Sequence, residues 1–168
     1  TDLATFILER LSGYLREAGY SAQQVDAVLV SRPSRLEELP DILAAVKAFQ
    51  QLPEAEALAA ANKRIVNIIR KAGREFSNAD RARLVEPAEQ ALHDTLARLR
   101  PGVEARFTAR DYSGALQALA ALKQPVDAFF DKVMVMVEDA SLRENRLALL
   151  GDLKSLMNRV ADISRLAV

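Results

Sequence analysis

Along nearly the whole chain Ala, Leu, Ile and Val return at three- and four-residue spacing with charged residues between them, the period of a helix that buries one face. No stretch alternates apolar and polar residues for long enough to predict a strand. From about 2 to 18 the spacing puts Leu3, Phe6, Ile7, Leu11, Tyr14, Leu15 and Ala18 on one face, and Gly19 suits the left-handed residue that closes a helix. Ser21 and Gln24 have capping-box spacing and predict a second helix toward Val30. Ser34 and Glu37 repeat it after Pro33, so a break is expected at 31–35. A third helix is predicted at about 39–51 and a fourth at about 53–72, with Pro53 in its first turn and Gly73 just past its end. Gly73 to Arg83 reads as an exposed basic loop.

Helix resumes at about 86–100, where Pro101 and Gly102 are expected to interrupt it. Tyr112 to Val137 reads as one long helical stretch with a kink or restart at Pro125, which lacks a backbone donor. In the last helix Ser141 and Glu144 have capping-box spacing, and Leu142, Leu149, Leu153, Leu156, Val160 and Ile163 form a stripe. Leu150 and Met157 widen that stripe beyond a coiled-coil seam. The pattern predicts an all-α helical bundle of about six to eight helices, with 1–52 a helical subregion packed on a bundle of 53–168, the whole forming one compact domain.

Composition narrows the chemistry. The chain has 168 residues, about one domain's worth, of which 50% are apolar and 27% charged, an ordinary globular balance. No run of about 18 apolar residues predicts a membrane span, and no signal peptide is expected ahead of the helical pattern that is under way at Thr1. The absence of cysteine removes disulfides, thiol nucleophiles and cysteine-ligated zinc, and is compatible with a reducing compartment. His93 is the single histidine, which argues against a histidine-built metal site and weakens any general-base reading. Four residues from Glu89 and next to Asp94, it reads as a surface or half-buried helix residue. Met134 and Met136 read as packing residues. No catalytic residue, metal site or cofactor is expected in the fragment itself.

Charge balances overall, with 23 basic and 23 acidic residues, yet it is unevenly placed. Residues 62–83 carry seven basic and two acidic side chains, while the flanking segments are net acidic. At about 100° per residue, Lys63, Arg64, Asn67, Arg70, Lys71 and Arg74 fall within an arc of roughly 120°, opposite Ala61, Ile65, Ile68, Ile69 and Ala72. Solubilising helices usually interleave Glu with Lys at four-residue spacing, but this arc has no acidic partner before Glu75. Such a ridge suits a phosphate backbone, and Asn67 in its middle can offer both donor and acceptor to a base edge. Asn62 lies off the arc and is expected to hydrogen-bond structurally. Phe76, beside Arg74, Arg81 and Arg83, has two readings: a platform that stacks an unpaired base, or an anchor that tucks the loop into the core. Arg10, Arg16, Arg32 and Arg35 have acidic neighbours and read as solvated surface charge, although they could extend a groove.

The stretches LAAANKRIVNIIRK (58–71), PVDAFFDKVMVMV (125–137) and LRENRLALLGDLKSLMNRVADISRL (142–166) resemble, in order, the C-terminal end of the β chains of bacterial heterotetrameric glycyl-tRNA synthetases. FILERLSGYLREAGY (6–20) resembles the segment just upstream in that family. A weaker likeness, from about residue 60, is to the helical anticodon-binding domain of arginyl-type synthetases. The resemblance implies a DALR-type anticodon-binding domain in a cytoplasmic enzyme of α2β2 form. Glycine activation, with ATP and magnesium, would fall to the partner α subunit and binding of the tRNA(Gly) anticodon loop to this fragment.

On that footing Lys63, Arg64, Asn67, Arg70 and Lys71, with Arg74, Phe76 and Arg81, are the RNA-binding candidates. Phe129, Phe130, Val133, Asn145, Arg146, Leu147 and Leu150 would serve the bundle, Arg146 by fixing a carboxylate through paired hydrogen bonds. Glycine tRNAs have cytosines at the second and third anticodon positions. Reading one needs an acceptor such as Glu75, Asp80 or a loop carbonyl beside a donor such as Arg64, Asn67 or Arg70. The rival reading is a helical scaffold that makes no contact with RNA.

Overall fold

The computed structural model describes residues 2–31 and 35–167. The break expected at 31–35, with Arg32, Pro33 and the Ser34 cap, therefore lies largely outside the described residues. Those residues form α1 (Asp2–Glu17), α2 (Ala22–Leu29), α3 (Leu39–Gln50), α4 (Ala55–Ala72), α5 (Pro87–Thr108), α6 (Tyr112–Ala118), α7 (Lys123–Lys132) and α8 (Ala140–Met157), with short 3-10 turns between them. Gly19 follows α1 at a φ of 105°, a left-handed value that a side chain would strain. At α2 both halves of the capping box form, Gln24 N–H to Ser21 Oγ at 3.1 Å and Ser21 N–H to Gln24 Oε1 at 3.0 Å.

The core is organised around α8. From Asn145 to Gly151 every residue is buried, so this helix is enclosed on all sides, between α4 and α5. Its leucines meet Ile65 and Ile69 of α4 and Leu92 and Leu96 of α5 in one continuous core. Beyond α8 the chain turns through Ile163–Leu166, which packs between α2 and α4; Asp162 N–H donates to the Ala27 carbonyl at 2.8 Å. That turn and the contact of α3 with α6 join residues before 52 to those after it.

Several elements depart from the sequence pattern. Pro101 does not interrupt α5. The proline is exposed, while Leu96 and Val103 are buried on either side of it, and that burial holds the helix through a site with no backbone donor. Tyr112 to Val137 divides into α6, a 3-10 turn at Leu119–Leu122, and α7; the restart expected at Pro125 is present, with the proline in the first turn of α7, where no donor is needed. After Lys132 the chain leaves helix, and Val133 and Val135 point inward while Met134 and Met136 point outward. The two methionines are exposed rather than packed. The cap of α8 is Asp139, whose carboxylate accepts from Leu142 N–H at 3.1 Å, so Ser141 and Glu144 are not a capping box. The helix stops at Met157, and Val160 and Ile163 reach the core from the turn beyond it. On α1 only Leu15 is buried; Leu3 is 71% and Tyr14 69% exposed, so most of its apolar face is left uncovered by the described residues.

Candidate nucleic-acid interface

The wheel of α4 holds in three dimensions. Leu58, Ile65 and Ile69 are buried, and Lys63, Arg64, Arg70 and Lys71 are exposed on the other side with Asn67 half-buried among them. Arg64 lies over the ring of Phe130 on α7 at 4.3 Å, which fixes the guanidinium beside the strip. Arg70 Nη2 donates to Asn67 Oδ1, so the Asn67 acceptor is engaged within the strip. Lys63 and Lys71 make no ion pair among the described residues. Asn62 is buried and exchanges hydrogen bonds with Asn158, 2.6 Å one way and 3.2 Å the other, the structural role expected of it.

Arg74 is not on the helical arc. Gly73, at a φ of 86°, closes α4 in the left-handed conformation and turns the chain away. Arg74 then sits over the Phe76 ring at 4.1 Å and pairs with Glu144 of α8 at 3.1 Å. Phe76 is buried, 9% exposed, and covered by Arg74. It is the loop anchor and not an open platform for a base. Arg81 is also turned elsewhere: its Nε and Nη2 grip Asp94 of α5 at 2.8 and 3.2 Å, and that hydrogen bond holds the Asp94 carboxyl below the usual carboxylate range.

The segment 74–83 is not a free loop; α8 pins it. Asp152 accepts from Asn78 N–H at 2.7 Å and Ala79 N–H at 2.9 Å, and Asn145 bonds both the N–H and the carbonyl of Asp80. Gly151 makes room for the docking, since a Cβ there would lie 1.8 Å from the Phe76 carbonyl oxygen. Asn78 takes a positive φ of 60° to make the turn. Of the acceptors expected for a base, Asp80 is spent capping its own 3-10 turn through Ala82 N–H, and Glu75 leans toward Lys154 at 3.7 Å.

Docking of this loop leaves a cleft of about 340 Å³ against the first turn of α8, lined by Arg74, Glu75, Arg83, Ser141 and Glu144. The sequence reading points to Arg83 only as a neighbour of Phe76 in a base-stacking arrangement, and does not point to Ser141 or Glu144 as binding residues. Local spacing assigns Ser141 and Glu144 to a cap, and only the Asp139 cap releases them. A second cleft of about 460 Å³ lies between the loop, α5 and α8, and half-buried His93 lines it, its Nδ1 3.7 Å from Asp94 and without a hydrogen-bond partner among the described residues. No group of His, Asp and Glu among the described residues is arranged to hold a metal ion, and no helix among them is long and apolar enough to cross a membrane.

Beneath the site, Arg146 makes the paired contact expected of it, with Glu89 of α5: Nε to Oε2 at 2.9 Å and Nη2 to Oε1 at 3.4 Å, while Nη1 donates to the Met134 carbonyl at 2.6 Å. Glu89 also accepts from Val85 and Glu86 N–H at the start of α5. Burial alone would raise its pKa; the Arg146 hydrogen bond and those two amides outweigh burial and hold the carboxyl below its ordinary range.

The arrangement offers an open cationic strip on α4 and a polar cleft against the first turn of α8. Comparison with known proteins accords with this. The profile of the DALR anticodon binding domain matches residues 58–163, which include the strip, the loop and α8. The glycine–tRNA ligase beta subunit of Thiobacillus denitrificans is 58% identical over 168 residues, 99% of this chain and 24% of that protein. The proteins of the same name from Dechloromonas aromatica and Leptothrix cholodnii are 57% and 58% identical over 166 residues, 98% of this chain and 23% of each. The chain thus spans about a quarter of the length of these relatives. With the match running over most of its length, the chain belongs to the DALR anticodon binding domain family.

Proposed function

We propose that this chain binds the anticodon arm of a tRNA, and that the tRNA is that of glycine. The observation that carries the reading is the exposed strip of Lys63, Arg64, Asn67, Arg70 and Lys71 on α4, within the family match and with no acidic partner among the described residues. A single-stranded loop presents phosphates to such a strip and splays its bases, and the lysines and arginines gain affinity by releasing condensed counterions. Glycine as the amino acid rests on the beta-subunit relatives. On the same reading the longer protein works in the cytoplasm in an α2β2 enzyme, whose α subunit activates glycine with ATP and magnesium. This segment holds the tRNA and contributes no reacting group.

A footprint of glycine tRNA with the chain bound tests it. Protection is expected in the anticodon loop, with affinity that falls steeply as salt rises. Protection of the acceptor stem alone would overturn the anticodon reading, and no binding at low salt would leave the segment a scaffold. A packing role alongside RNA binding has its own support, the uncovered apolar face of α1 at Leu3, Phe6, Ile7 and Tyr14. Relatives about four times as long supply a partner for it, the rest of the same polypeptide.

A further inference from the structure

We infer that the cleft between the 74–77 loop and the first turn of α8 receives one unpaired cytosine of the bound RNA, and that Glu144 is the residue that distinguishes it from uracil. The inference rests on the anticodon-arm reading above and adds to it the site and the residues that read a base.

Place is the first support. Arg74, three residues past Lys71 at the end of α4, also lines the cleft, so the strip and the cleft share one end of that helix. At about 340 Å³ the cleft falls within the roughly 300–1,000 Å³ of ordinary ligand sites and has room for a base.

Chemistry is the second. Cytosine presents an amino donor beside two acceptors, so its pocket needs one acceptor and two donors facing it. Glu144 is acceptor-only, and a carboxylate accepting from the cytosine amino group is a standard pairing. The other carboxylate of the cleft, Glu75, leans away toward Lys154. The side chains of Arg83 and Ser141 have no hydrogen-bond partner among the described residues and remain as donors; Asn145 is spent on the Asp80 backbone. Both ends of the Glu144–Arg74 pair are more than half exposed, and exposed pairs are weak enough to yield to a ligand. Arg74 keeps its seat on Phe76 when they part. Uracil would set a carbonyl against the Glu144 carboxylate, leaving two acceptors facing each other without a proton between them.

The test uses the 168-residue chain and labelled anticodon-arm hairpins that carry cytosine, or a single cytosine-to-uracil change, at each of the second and third anticodon positions. At one of the two positions the wild-type chain is expected to prefer cytosine by roughly 5- to 150-fold, the range of a good bidentate base contact. Glu144→Gln, which can donate as well as accept, should bring that ratio within about twofold while the cytosine hairpin stays bound, and Glu75→Gln should leave the ratio as it is. Arg83→Ala should weaken the cytosine hairpin more than the uracil one. If binding persists but Glu144→Gln leaves the preference intact, or if Glu75→Gln is what removes it, the pocket assignment is overturned and the anticodon-arm reading stands. If no hairpin binds even at low salt, both fall together.

Discussion

Replacing Arg146 with methionine removes one side of a buried ion pair and leaves the other. Glu89 is fully enclosed and Arg146 is 4% exposed. The change strips the carboxylate of two charge-assisted hydrogen bonds and the Met134 carbonyl of its 2.6 Å donor, although the Val85 and Glu86 amides stay on Glu89. Breaking one half of such a pair costs about 3–5 kcal/mol, a large part of the roughly 5–15 kcal/mol that holds a domain together. Urea denaturation at pH 7 should show that loss as a lower midpoint at unchanged slope.

The pH dependence has a definite sign. In the native chain the folded Glu89 pKa lies below its unfolded value, so the pair's contribution is present above the unfolded pKa of about 4.3 and is lost as pH falls through the folded one. Without Arg146 the largest influence that lowers the Glu89 pKa is gone while burial remains, so the carboxyl takes up a proton more readily than in the native chain. The gap between native and variant stability should therefore narrow from pH 7 to pH 5. Glu89→Gln added to Arg146→Met should recover much of the loss, because no buried charge is then stranded. A cost below about 1 kcal/mol at pH 7, or a gap that widens toward acid, would refute the account of this pair.

Gly151→Ala drives a Cβ into the Phe76 backbone and should cost at least about 1–3 kcal/mol, with faster hydrogen exchange at the Asn78 and Ala79 amides as the loop lifts; unchanged exchange would mean the loop is not held by this contact. Asn62→Ala strands the Asn158 amide and should cost about 1–3 kcal/mol while leaving RNA affinity alone, so a fall in affinity at unchanged stability would make Asn62 a contact residue. Asn67→Ala should narrow the preference for glycine tRNA over one with altered anticodon bases, measured by competition, and an unchanged preference would remove Asn67 from base reading.

Features that depend on neighbours a turn away were legible in the sequence. The Ser21–Gln24 box, the Gly73 stop and the two faces of α4 follow from local spacing alone, and each holds. Arg146 announced a carboxylate without naming it, because Glu89 lies 57 residues away. The Phe76 reading was undecided for the same reason. What settles it is Gly151, Asp152 and Asn145, which draw the 74–83 segment onto a helix some seventy residues downstream. Cap chemistry misled at α8: Asp139 and Ser141 are both good capping residues two positions apart, and choosing Ser141 consumed Glu144 in a local bond it does not make. Pro101 misled in the other direction, since a proline's local cost was overridden by the burial of Leu96 and Val103.

The central claim is that the α4 strip meets RNA phosphates, and salt-dependent binding measures it most directly. Glycine tRNA should be titrated with the native chain and with the Lys63→Ala, Arg70→Ala, Lys71→Ala triple variant across a series of salt concentrations. At roughly 0.7 per single-strand phosphate neutralised, the triple variant should flatten the slope of log affinity against log salt by about 2 and bind more weakly at low salt. A triple variant with the native slope and the native affinity would contradict the account.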